Sequence, residues 1–164
     1  MISLKKQASK GFTIVELLIV IVVIGILAAL VVTTYNGIQQ KARDTERKTD
    51  IKALHGQLEA YQAQNGKYPT LANMQDRASG GFIQTNMKGL DLAALQDPKW
   101  STSSSCKDSS NLAILAGSAS ANCYVYAPTD GSGGACDNAG TDCVKYTLSA
   151  ALEDGTTFSQ NSLQ

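Results

Sequence analysis

Phe12 to Val32 is a run of 21 residues in which only Thr13, Glu16 and Gly25 are not apolar. As an α-helix it spans roughly 31 Å at 1.5 Å per residue, close to the ~30 Å hydrocarbon core of a bilayer. A helix that is apolar on every side needs lipid or other copies of itself around it. Five residues into the run stands a carboxylate, Glu16. A charge at membrane depth is costly and marks a functional position by default. The bland alternative is a carboxylate snorkelling to the interface, one turn away.

The flanks orient this segment. Lys5, Lys6 and Lys10 precede it and no basic residue directly follows. That asymmetry predicts an N-terminus in the cytoplasm and the remainder outside. The run is longer than the core of an ordinary secretory signal and has only weak small-residue cleavage sites after it. Formal charge is zero, from 14 basic and 14 acidic side chains. Loss of residues 1–11 would leave 11 against 14, about −3, which disfavours nucleic acid as a direct ligand of the bulk surface.

Beyond the run the helical pattern continues past Asn36-Gly37. Ile51, Leu54, Leu58 and Tyr61 recur on one helix face. Asn65-Gly66 and Pro69 form a stop signal. One helix from Phe12 to about Gln64 is predicted, ~80 Å long, apolar in its first half and amphipathic in its second. Lys41 to Lys52 is dense in both charges. Asp44–Lys48, Arg43–Glu46 and Arg47–Asp50 have the spacing of helix-surface pairs. The run reads as a solvated face, with contact between neighbouring subunits as the sharper alternative.

The rest reads as a head. Leu90 to Leu95 suits a short helix, and Ser101–Ser105 with Ser109-Ser110 a serine-rich loop. Tyr124–Tyr126 and Val144–Leu148 are rich in strand formers, and Phe158 opens a last short strand. The predicted fold is α+β: a long N-terminal helix packed on a small C-terminal antiparallel sheet. The organisation is 1–11 leader, 12–35 transmembrane and assembly helix, 36–66 amphipathic continuation, and 67–164 globular head.

All four cysteines, Cys106, Cys123, Cys136 and Cys143, fall on the outer side, where an even count favours disulfides. Three pairings are possible. Joining sequence neighbours, Cys106–Cys123 and Cys136–Cys143, is preferred, with free thiols as an alternative. The spacing lacks the paired ligands of a zinc site. His55 is the only histidine, with no second catalytic partner, and reads as an exposed or satisfied helix residue. There is no nucleophile elbow, Walker loop or dinucleotide-binding glycine motif. No enzyme and no cofactor are expected. The tyrosines read as packing groups.

Lys10-Gly11-Phe12-Thr13-x-x-Glu16-Leu17-Leu18, followed by the apolar run, resembles the signature of type IV pilins, shared by the pseudopilins of type II secretion and by competence pilins. The close match covers about residues 5–35. Tyr61 through Asn65-Gly66-Lys67-Tyr68-Pro69-Thr70 looks like the helix exit of G-type major pseudopilins and many Gram-positive pilins. The resemblance implies cleavage between Gly11 and Phe12 by a membrane prepilin peptidase, N-methylation of Phe12, and pairing of Glu16 with the terminal amine of a neighbouring subunit; the amine of its own Phe12, at i−4, is the alternative partner. A filament of many copies, built by pilus or secretion machinery in the inner membrane and carried to the cell surface, would serve adhesion, motility or DNA uptake. The alternatives are a secretion pseudopilin and a single-pass anchored binding domain that never polymerises. At one position the chain departs from many pilins: Thr33 stands where they carry a proline eight residues after the equivalent of Gly25. Asp130, Asp137, Asn138 and Asp142 share a glycine-rich turn. They could hold calcium, as G-type pseudopilins do in a C-terminal loop, but turn formation explains them without metal, and no metal is expected.

Overall fold

A computed structural model describes residues 11–108, 113 and 115–164, with only the backbone of Thr33. The leader lysines, Ser109-Ser110 and the Thr33 side chain lie outside the described residues.

The first helix, α1, runs unbroken from Ile14 to Asn65 through Gly25, Asn36 and Gly37. Gly66 ends it in the left-handed region, φ 76°, which glycine enters without a Cβ clash. Its N–H donates to the Gln62 carbonyl at 2.7 Å, satisfying one orphan acceptor of the last turn. The chain divides into two compact units between Gln39 and Gln40.

In the first unit no described α1 side chain is enclosed. The second unit has a core. Ile51, Leu54 and Leu58 of α1 are fully enclosed among Tyr68, Met74, Ile83, Leu95, Leu115 and the inward residues of a sheet. That sheet is an antiparallel meander: β1 (Tyr124–Thr129), β2 (Lys145–Ala151) and β3 (Thr157–Asn161), in the order β1-β2-β3. Tyr124 faces Ala150, Tyr126 faces Leu148, and Ala150 faces Phe158. Alternation places Tyr146, Leu148 and Ala150 inward and Lys145, Thr147 and Ala151 outward along β2. Strand β2 starts one residue after the sequence expectation and runs three further, because Ser149 and Ala150 continue the ladder to both neighbours.

Between helix and sheet lie short pieces. Two are α-helical, α2 (Leu71–Gln75) and α3 (Phe82–Asn86), neither anticipated from sequence. Thr70 and Asn73 form a capping box at the start of α2. The helix expected over Leu90–Leu95 is a 3-10 turn at Leu92–Leu95, capped by the Asp91 carboxylate. Cys106 is bonded to Cys123, and Cys136 to Cys143.

The charged stretch of α1 differs from the solvated face expected of it. Glu46, Lys48 and Lys52 are exposed, but Arg47 is buried, 2% exposed. Its guanidinium donates to Asp97 at 2.7 and 3.2 Å, to Asp44 at 2.9 Å and to Glu153 at 3.2 Å. Glu153 also takes Arg43 and Lys99, each at 2.8 Å. Asp44 is an i,i+3 neighbour on α1 itself, but Asp97 and Glu153 come from the 3-10 region and the β2–β3 turn, far away in sequence, so local spacing gives no sign of them. Burial pulls the Arg47 pKa down, but the bonds to Asp97, Asp44 and Glu153 outweigh it and raise it above the usual value. The Arg43, Lys99 and Arg47 bonds hold the Glu153 carboxyl down at about 2.

Candidate processing and assembly segment

Gly11, Phe12 and Thr13 precede α1 in non-helical backbone, and Phe12 is 83% exposed. A Cβ at Gly11 would meet nothing within 4 Å, so crowding inside the chain does not call for glycine there.

Helix α1 begins on a capping box. Thr13 N–H donates to Glu16 Oε2 at 2.8 Å, and the Thr13 hydroxyl donates to the same oxygen at 2.7 Å. Glu16 N–H returns a bond to Thr13 Oγ1 at 3.2 Å. The pair satisfies orphan donors of the first turn and places a negative charge at the positive end of the helix dipole. Glu16 Oε1 has no partner among the described residues. Thr13 was missed as a partner of Glu16, although Thr-x-x-Glu ahead of an apolar run is a sequence-level capping signature.

From Ile14 to Ile38 the large apolar side chains are all about half exposed or more. The helix holds a strongly apolar stretch of 18 residues, none of it buried. A shallow apolar hollow on this surface is lined by Leu27, Leu30, Val31, Thr34, Tyr35 and Ile38. By length and composition the helix can cross a bilayer.

The acidic turn residues of the head serve the turn. Asp130 Oδ1 accepts from the N–H groups of Ser132 and Gly134. Asp137 Oδ1 accepts from Ala139, Gly140 and Thr141, and the Thr141, Gly140 and Ala139 bonds hold its carboxyl at about 2. Asp142 pairs with Lys67 at 2.9 Å. Asn138 bonds the Tyr68 carbonyl and the Cys143 N–H. Among the described residues no three acidic, histidine or cysteine side chains are grouped to hold a metal. His55 Nδ1 lies 2.7 Å from the Tyr146 hydroxyl, which donates to Glu59 Oε1 at 2.8 Å; this network assigns the ring proton to Nδ1.

Residues 6–32 match the family model of the prokaryotic N-terminal methylation motif. This is a prepilin-type N-terminal segment. Chains similar to this one include the type II secretion system core protein G of Dickeya chrysanthemi, 42% identical over 65 residues, 40% of this chain and 42% of that one. The core protein G of Vibrio cholerae is 41% identical over 66 residues, 40% and 45% of the two chains. The type IV major pilin protein PilA of Myxococcus xanthus is 35% identical over 65 residues, 40% and 30% of the two chains. The matched region thus spans less than half of each of these relatives. No solved structure matches the chain. The prepilin-type segment contains Gly11, Phe12, Thr13 and Glu16, and the capping box lies within it.

Proposed function

We propose that this chain is a type IV pilin structural subunit, cut between Gly11 and Phe12 by a prepilin peptidase, N-methylated on Phe12, and polymerised into a cell-surface filament for adhesion, motility or DNA uptake. The observation that carries the reading is a capped apolar helix half, exposed along its length, that begins within a prepilin-type motif. Cleavage turns Phe12 into a positive amine in an apolar setting, where an unpaired charge costs several kcal/mol. Glu16 supplies the counter-charge. Thr13 holds Oε2, and Oε1 remains to accept from the Phe12 amine of a neighbouring copy. Repeating that head-to-tail contact without closure gives a helical filament. Before assembly the leader lysines stay in the cytoplasm and the head lies outside the inner membrane. The assembly machinery of the pilus then draws the subunit out of the bilayer.

The core protein G relatives favour a second reading, the major pseudopilin of a type II-like secretion system, with the same processing and a shorter filament. Deleting the gene separates the two: loss of surface filaments with normal exoprotein secretion supports the pilus, and loss of secretion the pseudopilus. Glu16→Ala tests the shared step. Expected are normal leader removal and loss of filaments; filament numbers equal to wild type would refute the role of Glu16.

A further inference from the structure

The head has a cleft of about 400 Å³ between the last turns of α1 and the turn after α3. Gln57, Tyr61 and Gln64 line it from α1, and Asn86, Lys88 and Gly89 from the other side. Asn65, Thr85 and Asn86 spend a side-chain donor on nearby backbone carbonyls, but other polar groups of the cleft are not absorbed by the fold. The hydroxyls of Tyr68, Tyr124, Tyr126 and Tyr146 all bond to protein groups. Tyr61 is the head tyrosine whose hydroxyl has no partner among the described residues, although its half-buried ring packs on Phe82 at 5.5 Å. The side chains of Gln57, Gln64 and Lys88 likewise make no hydrogen bond or ion pair there. Gly89 leaves room for one of them: a Cβ at that position would sit 3.0 Å from Gln57 Nε2.

The lining selects by chemistry. It holds no carboxylate to attract a cation, and one ammonium, from Lys88, is too little for a polyanion. Carboxamides each offer paired donors and acceptors, matching a ligand that presents both on adjacent atoms. Gln57, Tyr61 and Gln64 follow at intervals of four and three residues along one helix face, about 5–6 Å between neighbouring Cβ atoms, the scale of a single sugar ring. Small-ligand pockets are usually mostly apolar; this cleft is mostly polar beside one aromatic ring, which suits a ligand that is itself rich in hydrogen-bonding groups. We infer that this cleft binds a neutral glycan, the carboxamides of Gln57 and Gln64 reading adjacent hydroxyls beside Tyr61. The site is separate from the assembly segment and stands whether or not the chain polymerises.

The test uses the full chain in phosphocholine micelles, because sugar-headed detergents would compete. Saturation-transfer NMR is run with maltotriose, cellotriose, chitotriose and mannotriose, beside trigalacturonate and an end-capped trialanine. Millimolar binding of at least one neutral trisaccharide is expected. It should weaken at least tenfold in Gln57→Ala/Gln64→Ala and in Gly89→Leu, whose side chain starts 3.0 Å from Gln57 Nε2 and takes the carboxamide's place, with the urea midpoint read by Trp100 fluorescence unchanged. Failure of all four neutral sugars to bind would overturn the proposal. So would equal binding by both variants, or stronger binding of trigalacturonate or the capped peptide. Should the double variant unfold, Gly89→Leu alone decides.

Discussion

Leu27 and Leu54 lie on the same helix in opposite surroundings: Leu27 is 57% exposed, whereas Leu54 is fully enclosed. Around Leu54 the chain supplies its own apolar cover from the sheet and the short helices. Around Leu27 it supplies none, and the neighbouring side chains of α1 are equally bare. Burying such a side chain is worth about 1.5–3 kcal/mol. One half of α1 therefore stabilises a fold, and the other half stabilises whatever association covers it. Polar groups follow the same division. Arg47 in the head is saturated by carboxylates of its own chain, while Glu16 keeps one oxygen without a described partner.

Several substitutions sharpen this contrast, with head stability read in the full chain in detergent micelles through Trp100, the single tryptophan, which lies in the head. Asp97→Ala should have the largest effect. It leaves the buried Arg47 guanidinium without its closest partner and should cost about 3–5 kcal/mol in urea unfolding; a loss under 1 kcal/mol would mean that the network is solvated after all. Leu54→Ala should cost about 2–5 kcal/mol by leaving a cavity. Leu27→Ala should leave head stability within about 0.5 kcal/mol of wild type and lower the filament yield. Equal effects of the two leucines on head unfolding would erase the distinction.

Acid offers a smaller probe. The Glu153 carboxyl titrates at about 2 in the fold against 4.5 for an ordinary glutamate. The unfolded chain takes up that proton first, so this contribution is present above pH 4.5 and fades as pH falls towards 2. Asp50 works in the opposite sense, since burial raises its carboxyl. The difference in melting temperature between wild type and Glu153→Gln should thus be large at pH 7 and small at pH 2.5; a constant difference would place Glu153 outside the network. The smallest effect is expected for Thr13→Ala, which removes the helix cap at about 1 kcal/mol. Faster amide exchange confined to the first turn of α1 is the expected signature, with head unfolding unchanged.

The parts of this molecule that rest on local pattern were legible in the sequence. The length of α1, its Gly66 stop, the Ile51–Leu54–Leu58 face and the strand segments follow from periodicity and turn chemistry. Thr13 is legible as well, through its spacing to Glu16, since Thr-x-x-Glu ahead of an apolar run is a capping signature. The Arg47 site was not legible. Asp97 is 50 residues from Arg47 and Glu153 is 106, and neither has a local reason to be an ion-pair partner. The i,i+3 and i,i+4 pairs drawn from spacing lost to partners that burial brought closer. The helices α2 and α3 were hidden by their length, since five residues give too little periodicity to read.

The central claim is that the bare half of α1 is covered by other copies of the chain once the leader is gone. Shearing cells and analysing the released material by mass spectrometry tests it most directly. Sheared filaments built from a chain that begins at N-methylated Phe12 are the expected result. A chain that begins at Met1 and stays in the membrane fraction after shearing would contradict it, leaving the apolar half of α1 as a lipid anchor alone.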